Sequence, residues 1–333
     1  AQRITNAVFS TTSTTNATFI DYLSVAIAVW APVNGHVCID LANVRQQVRD
    51  ELGSAKEDID QKLQDDLQWP SPAEWLKHLA TSPLVSVPAP TNLDHVDYTK
   101  PLVLFGNMLY LTRQWADEGI VAIALRTRLT ATPTSLPAQA TTWVEAVFGK
   151  GSVDYQAQAV IKALTHNTTV LLGGPGTGKT YTIAGMLHAF YSEHAANSAD
   201  NTNPLRVAIA APTAKAARQV TTSVGLSLAL QHFPQTHADL ISSVTKTSST
   251  IHRLLGWSPG NRGRFAHHAQ NFLPYDVVII DEVSMVSLPL MARLLEALAP
   301  TTKLVLVGDP QQLKSVEAGA VLPDIASLHS DGT

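Results

Sequence analysis

Residues 173–180 read Gly-Gly-Pro-Gly-Thr-Gly-Lys-Thr, the spacing G-x-x-x-x-G-K-[ST]. Gly173, Gly176 and Gly178 let the backbone curl so that successive N–H groups point inward, a geometry that holds an anion. Lys179 would reach the outer phosphates of a nucleoside triphosphate, and the Thr180 hydroxyl would take a place on Mg²⁺. The loop follows the apolar run Thr169-Val-Leu-Leu172 and precedes the helical pattern Thr182–His188, so a helix N-terminus adds its positive end to the same point. An ordinary glycine-rich turn accounts for the loop alone and not for strand, loop and helix together. The expected nucleotide site runs through Gly173, Gly174, Pro175, Gly176, Thr177, Gly178, Lys179, Thr180 and Tyr181, with ATP and Mg²⁺ as its occupants.

A second half of such a site is a buried strand ending in acid, and Tyr275-Asp-Val-Val-Ile-Ile-Asp-Glu282 has that form. Four β-branched residues in a row suit a strand apolar on both faces, in the middle of a parallel sheet. Ligands of open α/β sheets bind at the carboxyl edge, where Asp281 can meet the Mg²⁺ shell and Glu282 can polarise an attacking water. The alternative is that the two carboxylates cap the next helix, which begins near Ser287-Leu-Pro289.

The elements that must position these groups alternate from about residue 150 onward. Short apolar strands at Thr169–Leu172, Arg206–Ala211, Val277–Ile280 and Lys303–Gly308 are separated by helical patterns, which predicts βαβ crossovers and a helix-covered parallel sheet. The fold class expected is α/β, a P-loop NTPase domain with a parallel sheet over 150–333, which the family resemblance given below makes RecA-like. A smaller mixed α+β or mainly helical domain precedes it at 1–106, and a connecting helix and linker lie at 107–149. Within the last, Leu104–Leu111 reads as a hairpin, Thr112–Leu129 as a helix and Thr130–Pro137 as a Thr/Pro/Ser linker. Residues 40–67 read as an amphipathic helix.

The chain of 333 residues is 45% hydrophobic and 15% charged, a globular balance with room for two cores. No apolar stretch approaches a bilayer span; Tyr22–Trp30 is too short and reads as a core element. The threonine-rich start lacks a basic leader, and the lone Cys38 cannot form an internal disulfide, so a reducing, cytoplasmic setting and no membrane are expected. The net charge of −4 argues against bulk electrostatic coating of nucleic acid. The average conceals a basic stretch from Arg206 to His268, with seven Lys/Arg against Asp239 alone, a candidate phosphate-contacting face. Between Asp50 and Asp66 acids dominate, as on a solvated helix face.

Three further segments decide among the NTPase classes: Ala211-Pro-Thr-Ala-Lys-Ala-Ala217, Ser249-Thr-Ile-His-Arg-Leu-Leu-Gly256 and Gly308-Asp-Pro-Gln-Gln-Leu313. With the phosphate loop, Ile-Asp-Glu-x-Ser-Met and Ser315–Leu322, they resemble superfamily 1 helicases, and most closely the RecD subunit of the RecBCD helicase-nuclease, from about 105 to 325. The resemblance implies an adenine-reading Gln156, with Gln158 its nearby competitor, and a γ-phosphate sensor at Gln312. It implies single-stranded DNA contacts at Thr213, Lys215, Thr250 and His252. It further implies 5′ to 3′ ATP-driven translocation on DNA and action on duplex ends in break repair. RecB- and RecC-like partners follow from it too, the latter docked through residues 1–106.

The chain stops at Thr333, before any second RecA-like domain with its arginine finger, a group worth on the order of 10³ or more in rate. The expectation is therefore a fragment of a longer protein that binds nucleotide without efficient turnover or unwinding. Two other classes compete. A non-helicase P-loop switch ATPase would hydrolyse ATP without regard to DNA, and a nuclease would need an Asp/Glu/Lys metal constellation that the sequence does not offer outside the nucleotide site. Within the helicase class, a free-standing RecD-like enzyme or a conjugative relaxase-type relative would share the motor core.

Overall fold

The computed structural model describes residues 1–11, 17–52, 69–89, 95–150, 154–197, 204–229, 248–258, 264–312, 319 and 321–330. The chain packs as two compact units that part between Gly119 and Ile120.

The first unit is mixed α+β. Helices α1 (Gln2–Thr11) and α2 (Phe19–Val33) are followed by β1 (Cys38–Asp40), α3 (Val44–Leu52) and α4 (Pro72–Leu79). Then come β2 (Val85–Ser86), β3 (Leu102–Phe105) and β4 (Met108–Leu111), giving a four-stranded sheet ordered β1-β4-β3-β2. The expected hairpin is β3–β4, with Phe105 opposite Met108. The stretch expected as one amphipathic helix over 40–67 begins with β1 and a turn, then α3; its remainder lies outside the described residues, as does most of the acidic run.

Capping explains the helix starts. Thr18 and Asp21 close a capping box on α2, and Ser71 with Glu74 does the same for α4, which has Pro72 at its first position. The core gathers Val25, Ile39, Leu79, Leu84, Leu102 and Leu109 around the buried Trp75, whose indole donates to Ser24 Oγ at 2.7 Å.

Among the described residues of this unit, Asp21 is the buried charge. Its carboxylate accepts from Ser82 Oγ at 2.8 Å and from the Thr18 backbone N–H at 2.9 Å, and His78 Nε2 lies 3.0 Å away. Burial alone would raise its pKa, but the hydrogen bonds from Thr18, His78 and Ser82 outweigh that and hold it below the ordinary 3.8. The stabilisation is therefore complete above the unfolded carboxylate value and disappears as pH falls through the lower folded one. Asp21→Asn should lose the acid-dependent part of this unit's stability between those values. Thermal midpoints of variant and wild type against pH check it; parallel slopes would contradict it.

The second unit begins within α5 (Thr112–Leu129) and continues through α6 (Ala140–Phe148), α7 (Tyr155–Thr165), β5 (Thr168–Leu172), α8 (Lys179–Asn197), β6 (Val207–Ala211), α9 (Ala214–Leu228), β7 (Ser249–Thr250) and α10 (Ile251–Leu254). It closes with β8 (Val277–Ile280), α11 (Leu288–Glu296), β9 (Lys303–Gly308) and α12 (Val321–Ser330). All five strands are parallel, ordered β5-β9-β8-β6-β7. The four residues of β8 are buried throughout, as the run of β-branched side chains requires between β9 and β6.

Residues 107–149 do not form a separate connector. Strand β4 completes the first sheet, while Ala140, Val144 and Val147 of α6 enter the second core beside Val160, Ile183 and Phe190. Even the Thr/Pro/Ser segment is pinned, through Thr134, whose N–H donates to the Thr165 carbonyl at 2.8 Å. Arg128 ends α5 by donating to the Thr302 and Ala299 carbonyls at 3.0 and 2.8 Å.

Candidate functional site

Parallel strands end on a common edge, and here each of the five delivers a segment to it. The glycine loop follows β5, Asp309–Gln312 follows β9 and Asp281–Glu282 follows β8. Pro212–Thr213 follows β6, and Thr250 ends β7 in register with Ala211.

The loop's glycines are needed for two different reasons. Gly176 and Gly178 hold φ of 75° and 80°, in the region that favours glycine. Gly173 does not; its need is space, since a Cβ there would lie 2.6 Å from Thr177 Oγ1. The Lys179 ammonium donates to the Gly173 and Gly174 carbonyls at 2.5 and 2.9 Å, and Thr177 Oγ1 donates to Gly174 O at 2.9 Å. The Gly173 N–H is bonded to Gly308 O at 3.2 Å, tying the loop's entry to the end of β9.

Gln156, on α7, reaches this loop. Its amide donates to the carbonyls of Thr177 at 3.2 Å and Gly178 at 3.5 Å, and a Cβ on Gly178 would collide with it. Its competitor Gln158 is exposed on the same helix. Gly178→Ala therefore combines a left-handed strain of about 1–2 kcal/mol with displacement of Gln156. We expect both a lower thermal midpoint and nucleotide affinity weakened at least about tenfold by calorimetry; an alanine variant unchanged in both would refute this account of the glycine. Tyr181 is anchored elsewhere: its hydroxyl donates to Val147 O at 2.7 Å and its ring meets Phe148 edge-on at 5.5 Å. It secures the helix that follows the loop against α6.

Asp281 and Glu282 do not cap the next helix. Ser287 holds the position before α11, and Glu282 makes no side-chain cap bond to the short 3-10 turn Val283–Met285 that intervenes. Burial raises the pKa of Asp281, and the Glu282 charge adds to this, while the Glu282 N–H and Lys179 oppose it. Glu282 itself adopts φ 55°, the one non-glycine residue in the left-handed region among those described.

One residue of this edge carried no assignment from the sequence. Asp309 is 5% exposed; its Oδ1 accepts from the Gln311 N–H at 3.0 Å and its carbonyl from the Gln312 N–H at 3.2 Å. Its Oδ2 lies 3.9 Å from the Cβ position of Gly174. Gln312 thus sits in a turn organised by an acid that also faces the phosphate loop. An acid placed just after the apolar strand β9 was the available signal, since Asp281 follows β8 in the same way.

The four residues expected at DNA divide by what they already do. Thr213 caps α9, its hydroxyl accepting from Ala216 N–H at 3.2 Å, and Thr250 caps α10 by accepting from Arg253 N–H at 3.2 Å. Lys215 and His252 are exposed. Of the basic stretch, Arg206 is engaged in an ion pair with Asp276 at 2.8 Å; Lys246 and Arg262 lie outside the described residues.

The donors present fit a triphosphate and its metal. A cradle crowded at the Cβ positions of Gly173 and Gly178, an ammonium bonded to loop carbonyls, a hydroxyl at Thr180 and a half-buried carboxylate at Asp281 form a hard-oxygen and cationic set suited to phosphate and Mg²⁺.

Residues 8–110 match the family model described as RecBCD enzyme subunit RecD, N-terminal domain, and residues 156–318 match an AAA domain. The RecBCD enzyme subunit RecD of Mycolicibacterium smegmatis is 44% identical over 306 residues, 91% of this chain and 48% of that protein. That of Mycobacterium tuberculosis is 40% identical over 91% of this chain and 46% of its own length. The ATP-dependent RecD2 DNA helicase of Deinococcus radiodurans is 35% identical over 66% of this chain and 26% of that enzyme. The chain spans about half the length of these mycobacterial relatives.

Proposed function

We propose, from the premise that this chain belongs to the RecD family, that it carries the first motor domain of an ATP-driven DNA helicase subunit, preceded by a partner-docking unit. The observation that supports this most directly is the convergence of Lys179, Asp281, Glu282 and Gln312 on one edge of a parallel sheet. On the same edge, the ends of β6 and β7 present Thr213, Lys215, Thr250 and His252.

In this reading Lys179 exchanges its two loop carbonyls for the outer phosphates of ATP, and Gln156 exchanges the Thr177 and Gly178 carbonyls for the adenine edge. Thr180 and Asp281 would hold Mg²⁺, which when bound would supply positive charge to the phosphates. Glu282 orients the attacking water and accepts its proton. Gln312 registers the γ-phosphate, and its turn, organised by Asp309, transmits the change toward the DNA-bearing ends of the neighbouring strands. DNA contacts are to phosphates and bases without sequence preference. Directional motion, 5′ to 3′ in this reading, belongs to the complete protein, as do action at duplex ends in break repair and association with RecB- and RecC-like subunits in the cytoplasm. Among the described residues no helix is long and apolar enough to cross a membrane.

The test is the ATPase rate of the full-length protein with and without single-stranded DNA. A motor shows a large rise on DNA; equal rates would leave a P-loop switch ATPase as the better account. The similarity to a RecD2 helicase supports a second reading, a free-standing enzyme. Co-purification of full-length protein with RecB- and RecC-like subunits favours the first reading and its absence the second.

A further inference from the structure

The nine residues Ser249–Trp257 fold by local rules that lead to one exposed ring. Thr250 caps α10; Gly256, at φ 75°, ends it. The Gly256 N–H bonds to Arg253 O at 3.0 Å and the Trp257 N–H to His252 O at 2.9 Å. This is the paired closure of a Schellman turn, in which the residue after the glycine is brought back over the helix's last turn. Here that residue is Trp257, brought back beside His252.

The turn is locked from outside as well. A Cβ on Gly256 would lie 2.6 Å from Ala266 Cβ, and the His267 N–H donates to Leu255 O at 3.1 Å. The segment 264–267 thereby closes against the short helix, and Phe265 meets the His252 ring at 6.0 Å and 50°. Despite this fixed backbone, Trp257 keeps 45% of its surface exposed. With Pro212, Thr250, His252, Arg253 and Ser258 it lines a cavity of about 710 Å³ at the carboxyl edge of β6 and β7. Arg253 is exposed, and its guanidinium makes no ion pair with a described residue.

We propose that Trp257 is a stacking platform for an unpaired nucleobase, with Arg253 neutralising the adjoining backbone phosphate. This rests on the DNA reading given above and adds to it residues that reading does not use. An indole held by a rigid turn and left half in water lowers the entropic penalty of stacking. A cation on the same short helix supplies the complementary contact, and a proline and a histidine shape the other walls. Stacking is indifferent to base identity because every base offers a π-face, so the platform suits a strand that passes over it. A duplex, whose bases are already stacked on one another, gains nothing from it.

The experiment uses the full-length protein and two fluorescent 16-mers of equal charge, oligo-dT and an abasic strand, read by anisotropy, with nucleotide affinity as the control for folding. Trp257→Ala should weaken oligo-dT by about 5- to 100-fold, the range for one lost base stack, while leaving the abasic strand and nucleotide unchanged. Trp257→Phe should recover most of the difference, and Arg253→Ala should weaken both strands alike. If Trp257→Ala binds oligo-dT as wild type does, or loses both strands equally, the platform is overturned while the DNA reading stands. If the wild-type protein binds neither strand, both fall.

Discussion

Lys179→Ala should reduce nucleotide hydrolysis by at least on the order of 10²- to 10³-fold, the effect of removing one preorganised donor to developing phosphate charge. The geometry explains why no neighbour substitutes. The ammonium is held by two carbonyls of the loop itself, Gly173 and Gly174, so it stands where the loop's curl brings its amides together. Its removal leaves those carbonyls facing the space meant for an anion. It also removes the cation that opposes burial and the Glu282 charge at the Asp281 carboxyl, so the acid proposed to hold the metal is disfavoured in its charged form by the same substitution. Lys179→Arg should not rescue activity, because a planar guanidinium cannot occupy the point reached by a compact ammonium. The measurement is DNA-stimulated hydrolysis and nucleotide affinity of the full-length variant. Activity within a few-fold of wild type would place the phosphate contact elsewhere.

What the sequence made legible was whatever is determined by neighbours along the chain. The run Val277–Ile280 could only be a central strand, and it is one; the helix Thr112–Leu129 is observed over the residues expected. The phosphate loop is local chemistry on a strand–turn–helix frame. The first unit was less legible because its strands are two to four residues long, too short for periodicity to emerge, and its order comes from pairing across the chain. Helix α6 was missed for a related reason: Ala140 to Phe148 reads as the tail of a linker until α8 packs against it through Tyr181 and Gly185.

At the site, the element that carries each candidate residue was legible and its engagement was not. Thr213 and Thr250 were expected at DNA, yet each hydroxyl is a helix cap first, so any phosphate they contact must share them with a backbone N–H. Asp309 escaped notice because its role depends on Gly174, 135 positions earlier, lying beside it. Trp257 stands one residue beyond the segment that ends at Gly256, and only the left-handed glycine reveals that the chain doubles back there.

Glu282→Gln should separate binding from chemistry: nucleotide affinity stays within about threefold while hydrolysis falls by about 10²- to 10⁴-fold, the usual contribution of a positioned general base. Glutamine matches the shape of glutamate and keeps the same backbone requirement, so only the proton acceptor is lost. That backbone is itself informative. A non-glycine residue at φ 55° bears a strain of about 1–2 kcal/mol, tolerated where the surroundings fix it. A Cβ built on Gly308 would lie 3.4 Å from the Val283 and Ser284 nitrogens, so β9 runs close beside the turn that Glu282 opens. Glu282→Gly relieves the strain and loses the carboxylate, and the added freedom of its unfolded chain offsets only about 0.4–1 kcal/mol of that relief. It should therefore be no less stable than wild type yet as inactive as the glutamine variant. Such a pair, equal or better in thermal midpoint and jointly deficient in turnover, identifies strain retained for catalysis. If Glu282→Gln instead turns over ATP within about threefold of wild type, the proton goes to another group, and Asp309, buried beside the phosphate loop, becomes the carboxylate to replace.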